Sequence, residues 1–218
     1  MLFDLVIFDC DGVLVDSEPV VNGIEAELFT HLGIPMTPEE ARALFKGRTV
    51  GEIVTTVEEK ISRRLSHEWV YDWGMATALG LVRGLRAAPG VRDILEALSL
   101  RKHPICVASQ SPPARVALSL MLTGLDGFFD RRVYTASMVT HPKPAPDLFL
   151  HAAQSCGARS QACAVVEDSP SGVTAAVAAG MVAFGFAARE DASHLAAAGA
   201  RVFHSMHELR ALLELGET

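Results

Sequence analysis

Six side chains carry the chemistry that this sequence offers: Asp9, Asp11, Ser109, Lys143, Glu167 and Asp168. Asp9 and Asp11 stand two apart and are followed by Gly12. Ser109 comes next, then Lys143 in His141-Pro142-Lys143-Pro144-Ala145-Pro146-Asp147, then the acidic pair Glu167-Asp168. Two neighbouring carboxylates repel, so such a pair is costly unless a cation or a shared proton relieves it. Carboxylates that offer only oxygen suit a hard cation, and Mg2+ is the usual one. A lysine and a hydroxyl beside a metal-bound carboxylate make a pocket for a phosphoryl group. Phosphoryl transfer needs positioning and neutralisation of charge on the equatorial oxygens. A carboxylate can also be the nucleophile, forming an aspartyl phosphate.

Each of these groups follows an apolar run. Leu5-Val6-Ile7-Phe8 has no polar alternation, which predicts a strand covered on both faces, and Gly12 lets the chain turn sharply after it. Strands are also expected over 104–109, 132–135, 162–168 and 181–186. Helices are expected between and after them, over 91–100, 112–122, 146–155, 170–180 and 208–215. Alternating strands and helices imply a parallel sheet with helices on both faces. Such a sheet gathers its sites at the carboxyl ends of its strands, which is where the six side chains fall.

The stretch between the first strand and the rest reads differently. Residues 18–33 predict an amphipathic helix, with Ile24, Leu28 and Leu32 at a four-residue step and Gly33 as the stop. Thr37-Pro38-Glu39-Glu40 carries the marks of a capping box with proline in the first turn. Phe45-Lys46-Gly47-Arg48-Thr49 breaks the pattern. A third helix is expected from Val50 to about Leu65, and a fourth from Ser66, with Trp69 and Trp73 on one face forming the core of this insert. The chain thus divides into an α/β core of residues 1–17 and 87–218 and a small helical domain of residues 18–86.

Bulk composition excludes several classes. The net charge of −7 argues against a protein that coats nucleic acid, although a few local cations suffice for a small anionic substrate. The apolar runs are too short to span a membrane, and the acid-interrupted N-terminal run is not a secretory leader. The cysteines Cys10, Cys106, Cys156 and Cys163 lack metal-site spacing and read as reduced core residues, which suits the cytoplasm.

Together the motifs Asp9-Cys10-Asp11-Gly12-Val13, Ser109, Lys143-Pro144-Ala145-Pro146-Asp147 and Glu167-Asp168-Ser169, with Gly172 and Ala178-Ala179-Gly180-Met181 behind them, resemble the haloacid dehalogenase (HAD) superfamily of phosphohydrolases. The likeness is to the β-phosphoglucomutase and phosphoglycolate phosphatase-like subgroup, which has a helical cap inserted after the first strand of a Rossmann-like core. The resemblance implies that Asp9 attacks phosphorus. Asp11 would protonate the leaving oxygen and then activate the hydrolytic water. Ser109 and Lys143 would hold the phosphoryl oxygens. Mg2+ would sit on the Asp9 side chain, the Asp11 carbonyl and Asp168, with Glu167 either a ligand or a residue that supports the ligands. Asp16-Ser17 and Arg86 to Pro89 would be the hinges of the cap. Lys46, Gly47 and Arg48 would face the site with Ser109 and Gln110, and Lys46 or Arg48 would hold a distal anionic or hydroxyl group of the substrate.

The expected activity is Mg2+-dependent hydrolysis of a small phosphorylated metabolite, a sugar phosphate or related acid, by a monomer or small homo-oligomer. A sugar phosphomutase with the same aspartyl-phosphate chemistry is the alternative. Mutase-like relatives carry a histidine shortly after the hinge, where Val20, Val21 and Asn22 stand here. Dehalogenase relatives lack the second aspartate, so Asp11 speaks against that reaction. Phosphonatase relatives use a cap lysine, and Lys46 lacks the apolar setting that would lower its pKa. Pro142 replaces the glycine usual before the lysine of this family.

Overall fold

The computed structural model describes residues 3–188 and 192–215. Six parallel strands form one sheet in the order β3-β2-β1-β4-β5-β6: β1 Leu5–Phe8, β2 Ile105–Ser109, β3 Val133–Thr135, β4 Cys163–Glu167, β5 Val182–Phe186 and β6 Arg201–Phe203. The side chains of β1 alternate between two apolar layers. Val6 and Phe8 join Ile94, Leu98, Val116, Phe129 and Leu209 on one face. Leu5 and Ile7 join Leu148, Phe149, Val173 and Ala176 on the other. Burial on both sides is why β1 reads as an unbroken apolar run.

The first face is covered by helices α5 Val91–Leu100, α6 Pro113–Thr123, α7 Asp126–Phe129 and α11 Met206–Leu212. The second is covered by α8 Asp147–Ser155, α9 Pro170–Ala178 and α10 Ser193–Ala197. Chain order runs outward from β1 to β3 on one side and from β4 to β6 on the other, so the direction reverses between β1 and β4. That is the crevice where open parallel sheets bind ligands. The register Phe8↔Val166, with the Asp9 amide on the Val166 carbonyl at 2.9 Å, brings the ends of the two strands together there.

Four helices intervene between β1 and α5: α1 Glu18–His31, α2 Pro38–Phe45, α3 Val50–Ile61 and α4 His67–Gly84. They share an apolar cluster of their own, centred on Phe29, which touches Phe45, Trp69 and Trp73 ring to ring. The predicted capping box of α2 forms, with Thr37 and Glu40 each bonding the other's backbone amide. Thr49 and Glu52 build a second box at the start of α3. The chain leaves and re-enters the sheet side by side: the Asp16 amide donates to Arg86 O and the Ala88 amide to Leu14 O, both at 2.9 Å.

Several boundaries differ from expectation. Helix α3 stops at Ile61 because Ser62 turns left-handed (φ 53°) and Glu58 accepts the Leu65 amide, folding the chain back. Helix α11 starts at Met206, since Ser205 caps it and Glu208 lies inside its first turn. The buried face of α1 centres on Val21, Glu25, Ala26 and Phe29, while Ile24, Leu28 and Leu32 flank it. Strand β6 and helices α7 and α10 are short additions that the pattern did not signal. The cysteines are free, with Cys10, Cys106 and Cys163 buried and Cys156 half-buried. Among the described residues no helix is long and apolar enough to cross a membrane.

Candidate active site

The carboxyl ends of β1, β2 and β4 and the loop after β3 bring Asp9, Ser109, Glu167, Asp168 and Lys143 to one cavity of about 100 Å3. Lys143 ties them together. The residue is 2% exposed, and its ammonium donates to Asp9 Oδ1 at 2.7 Å, to Glu167 Oε1 at 2.6 Å and to the Ala108 carbonyl at 2.9 Å. It also lies 4.8 Å from the centre of the Phe149 ring. Burial alone would lower its pKa, but the charges of Asp9 and Glu167 outweigh burial and hold it above the ordinary lysine range. The second Glu167 oxygen accepts the amides of Asp168 and Ser169 at 3.0 Å and the Ser169 hydroxyl at 2.9 Å.

Asp9, Glu167 and Asp168 each offer an oxygen within 4.8 Å of the others, with no histidine or cysteine among them. Burial raises the Asp9 pKa, only partly opposed by Lys143, and it pushes Asp168 up to about 7, partly opposed by Lys46. These buried acids repel one another, and a cation between them removes the cost of ionising both. The donor set therefore fits a divalent hard metal. Two glycines make room for the acids: a Cβ at Gly12 would overlap the Asp168 carboxylate, and one at Gly172 would overlap that of Glu167.

Asp11 points into a different environment. It accepts from Ser17 Oγ at 2.5 Å, Ser111 Oγ at 2.6 Å and Arg115 Nη2 at 2.9 Å. Burial would raise its pKa, but the Arg115 charge and these hydrogen bonds outweigh it, so the carboxyl is held below its usual value. Two acids separated by Cys10 are thus driven in opposite directions. Ser109 is buried, and its hydroxyl accepts the Ser111 amide at 3.1 Å.

The loop between α2 and α3 closes over these groups. Lys46 Nζ lies 2.8 Å from Asp168 Oδ2 and 2.9 Å from Glu18 Oε1, and these acids hold it protonated against the effect of burial. A lysine so paired is unsuited to forming a Schiff base. The Gly47 carbonyl accepts from Gln110 Nε2 at 3.0 Å and from Ser171 Oγ at 3.1 Å, and Gln110 also donates to the Lys143 carbonyl at 3.1 Å. Gly47 has φ +72°, and a Cβ there would meet Ser171 Oγ at 2.7 Å. Arg48 lines the cavity and donates to Thr56 Oγ1 at 3.1 Å.

Residues 3–180 match the haloacid dehalogenase-like hydrolases. The chain belongs to that family. The 6-phosphogluconate phosphatase of Escherichia coli is 31% identical over 188 residues, covering 85% of this chain and 83% of that protein. The E. coli fructose-1-phosphate phosphatase is 33% identical over 176 residues, covering 80% and 92%. Among solved structures, a haloacid dehalogenase-like protein of unknown function from Agrobacterium tumefaciens superposes with a TM-score of 0.81 at 36% identity, covering 97% of this chain and 98% of that one. A HAD family hydrolase from Deinococcus radiodurans, solved with bound phosphate and sodium, has a TM-score of 0.79 at 29% identity and covers 99% and 97%.

The hydrogen-bond partners of Asp11 and the place of Glu25 on the cavity wall were not anticipated from sequence. Arg115 is the one charged residue of α6, which was a readable signal, but its partner lies 104 residues away. Ser17 was read only as part of a hinge, and Ser111 carried no distinguishing mark. Glu25 did, since Val21, Glu25 and Phe29 share a four-residue step that sets a carboxylate on the buried face of α1.

Proposed function

We propose that this hydrolase is a Mg2+-dependent phosphatase of small phosphorylated metabolites, sugar phosphates or related acids, acting through an aspartyl phosphate on Asp9. The observation that carries the reading is the buried Lys143 ammonium bound to both Asp9 and Glu167 beside Asp168. This lysine pairs with one oxygen of Asp9 and screens its charge as a phosphate dianion approaches. The other oxygen remains for attack on phosphorus. Ser109 sits at the end of the neighbouring strand, where its hydroxyl can bind a phosphoryl oxygen. Asp9, the Asp11 carbonyl and Asp168 would hold Mg2+, with Glu167 fixed by the Asp168 and Ser169 amides as their support. The metal would supply further neutralisation of the phosphoryl charge.

Asp11 is held ionised here, the form that accepts a proton from the hydrolytic water. To donate to the leaving oxygen it must first leave Arg115 and take up a proton. Exchange between the two settings lets one side chain serve both half-reactions. Residues 18–86 act as the cap over residues 1–17 and 87–218, hinged where Leu14–Asp16 lies against 86–88. The Gly47 carbonyl, clamped by Gln110 and Ser171, is the point of closure. The phosphatase names of the two E. coli relatives support the substrate class, and Val21 and Asn22 on the cavity wall offer no imidazole for a mutase. The test is a panel of phosphate monoesters assayed with Mg2+ and with chelator. Metal-dependent phosphate release that Asp9→Asn abolishes supports the reading. Equal turnover by Asp9→Asn would sink it.

A further inference from the structure

Glu25 has no place in the chemistry described so far. It stands on α1 with 3% of its surface exposed, and it lines the same cavity as Asp9, Ser109 and Lys143. Among the described residues its carboxyl makes no hydrogen bond or ion pair. The charges that act on it are Arg115, which attracts it, and Asp11, which repels it. A buried carboxyl without a partner is costly, and proteins satisfy nearly all such groups. Glu25 therefore keeps unused hydrogen-bonding capacity on the wall of a cavity that opens onto the reacting groups.

Its position says what would use that capacity. Arg115 and Asp11 mark the side of the cavity where the leaving group takes its proton. A substrate whose leaving oxygen faced Asp11 would bring the alcohol portion of the ester near Glu25. The cavity wall also carries Asn22 and the apolar Val21, Phe45 and Ile53. We propose that Glu25 selects the leaving group: it hydrogen-bonds a hydroxyl of a neutral sugar or polyol phosphate and discriminates against phosphorylated acids of the same length. This rests on the phosphatase reading and narrows its substrate class. A substrate carboxylate there would meet two acids, Glu25 and Asp11, and an Arg115 guanidinium that Asp11 already engages at 2.9 Å. A substrate ammonium would face the Arg115 guanidinium. A hydroxyl both donates and accepts, and suits a carboxyl that burial has raised to about 7, where both protonation states are populated near neutrality.

The test compares a hexitol phosphate, 6-phosphogluconate, 2-aminoethyl phosphate and p-nitrophenyl phosphate, with Mg2+, on the parent, Glu25→Gln and Glu25→Ala. The parent is expected to favour the hexitol phosphate over 6-phosphogluconate by about tenfold in kcat/KM, the scale of one uncharged hydrogen bond and one like-charge contact. In Glu25→Ala the ratio of hexitol phosphate to p-nitrophenyl phosphate falls about tenfold, through KM and not kcat. Glu25→Gln restores that ratio and raises 6-phosphogluconate relative to the hexitol phosphate. If Glu25→Ala fails to fold, the gain of 6-phosphogluconate in Glu25→Gln decides alone. An unchanged substrate ranking in Glu25→Gln overturns the proposal, as does a parent that prefers 2-aminoethyl phosphate. A parent that hydrolyses none of the four esters, p-nitrophenyl phosphate included, instead overturns the phosphatase reading itself.

Discussion

The floor and the roof of the cavity are built on opposite rules. On the floor, the acids at the ends of β1 and β4 are pinned by Lys143, by backbone amides and by glycines that leave no spare room. On the roof, α1 presents Glu25, buried and unpartnered, and the closing loop meets the core through the Gly47 carbonyl and the Lys46 ammonium on Asp168. A floor so tightly determined fixes what reaction can occur. A roof with unspent polar capacity leaves the choice of substrate to a few contacts. The two regions should therefore respond differently to substitution.

The largest effect is expected on the floor. Asp9→Asn should reduce phosphate release by about 10^4-fold or more, the scale on which enzymes lose an attacking group, with little change in the unfolding midpoint. Lys143→Met leaves Asp9 and Glu167 facing each other in a buried site, and should cost about 3–5 kcal/mol of stability in denaturant unfolding as well as activity. If Lys143→Met is fully stable, the floor is less determined than its hydrogen bonds imply.

On the roof the next effect is one of pH. The Glu25 pKa rises on folding from 4.5 to about 7, so the folded state binds more protons between those values. Its stabilising effect is complete below pH 4.5 and is lost as pH rises through 7. Glu25→Gln does not titrate and should gain about 3 kcal/mol on the parent between pH 4 and pH 8, at about 1.4 kcal/mol per pKa unit. Parallel stability–pH curves for the two proteins would show that Glu25 is not strained. The smallest effect belongs to the seam. Gln110→Ala removes the bridge from the Gly47 carbonyl to the Lys143 carbonyl and should loosen it by about 1 kcal/mol. Faster amide exchange at 46–48, with little change in the core strands, is the expected signature.

The same contrast decides what the sequence could tell. Asp9, Ser109, Glu167 and Asp168 were legible because a strand-end motif is local: an apolar run and the polar group that stops it lie side by side in the chain, and parallel topology then gathers the ends. Arg115 meets Asp11 only through the way α6 rotates about its axis when it docks, which no short stretch records, while on α1 the step of Val21, Glu25 and Phe29 competes with a second four-residue step. Helix α1 shows the cost. The step of Ile24, Leu28 and Leu32 drew attention to residues that flank the buried face, one position away from the stripe that carries Glu25. Strand β6, three residues with a single buried side chain at the sheet edge, was too short to leave a pattern.

The paired connectors at 14–16 and 86–88 bear on how such a chain can be rebuilt. Because the polypeptide departs and returns through two hydrogen-bonded segments, the ends of the helical insert lie next to each other. Excising it would leave a gap that a short turn spans at small entropic cost. A foreign insert with similarly close ends could be grafted there without disturbing the register of β1 and β2. The floor would then be a reusable cassette and the roof its exchangeable part.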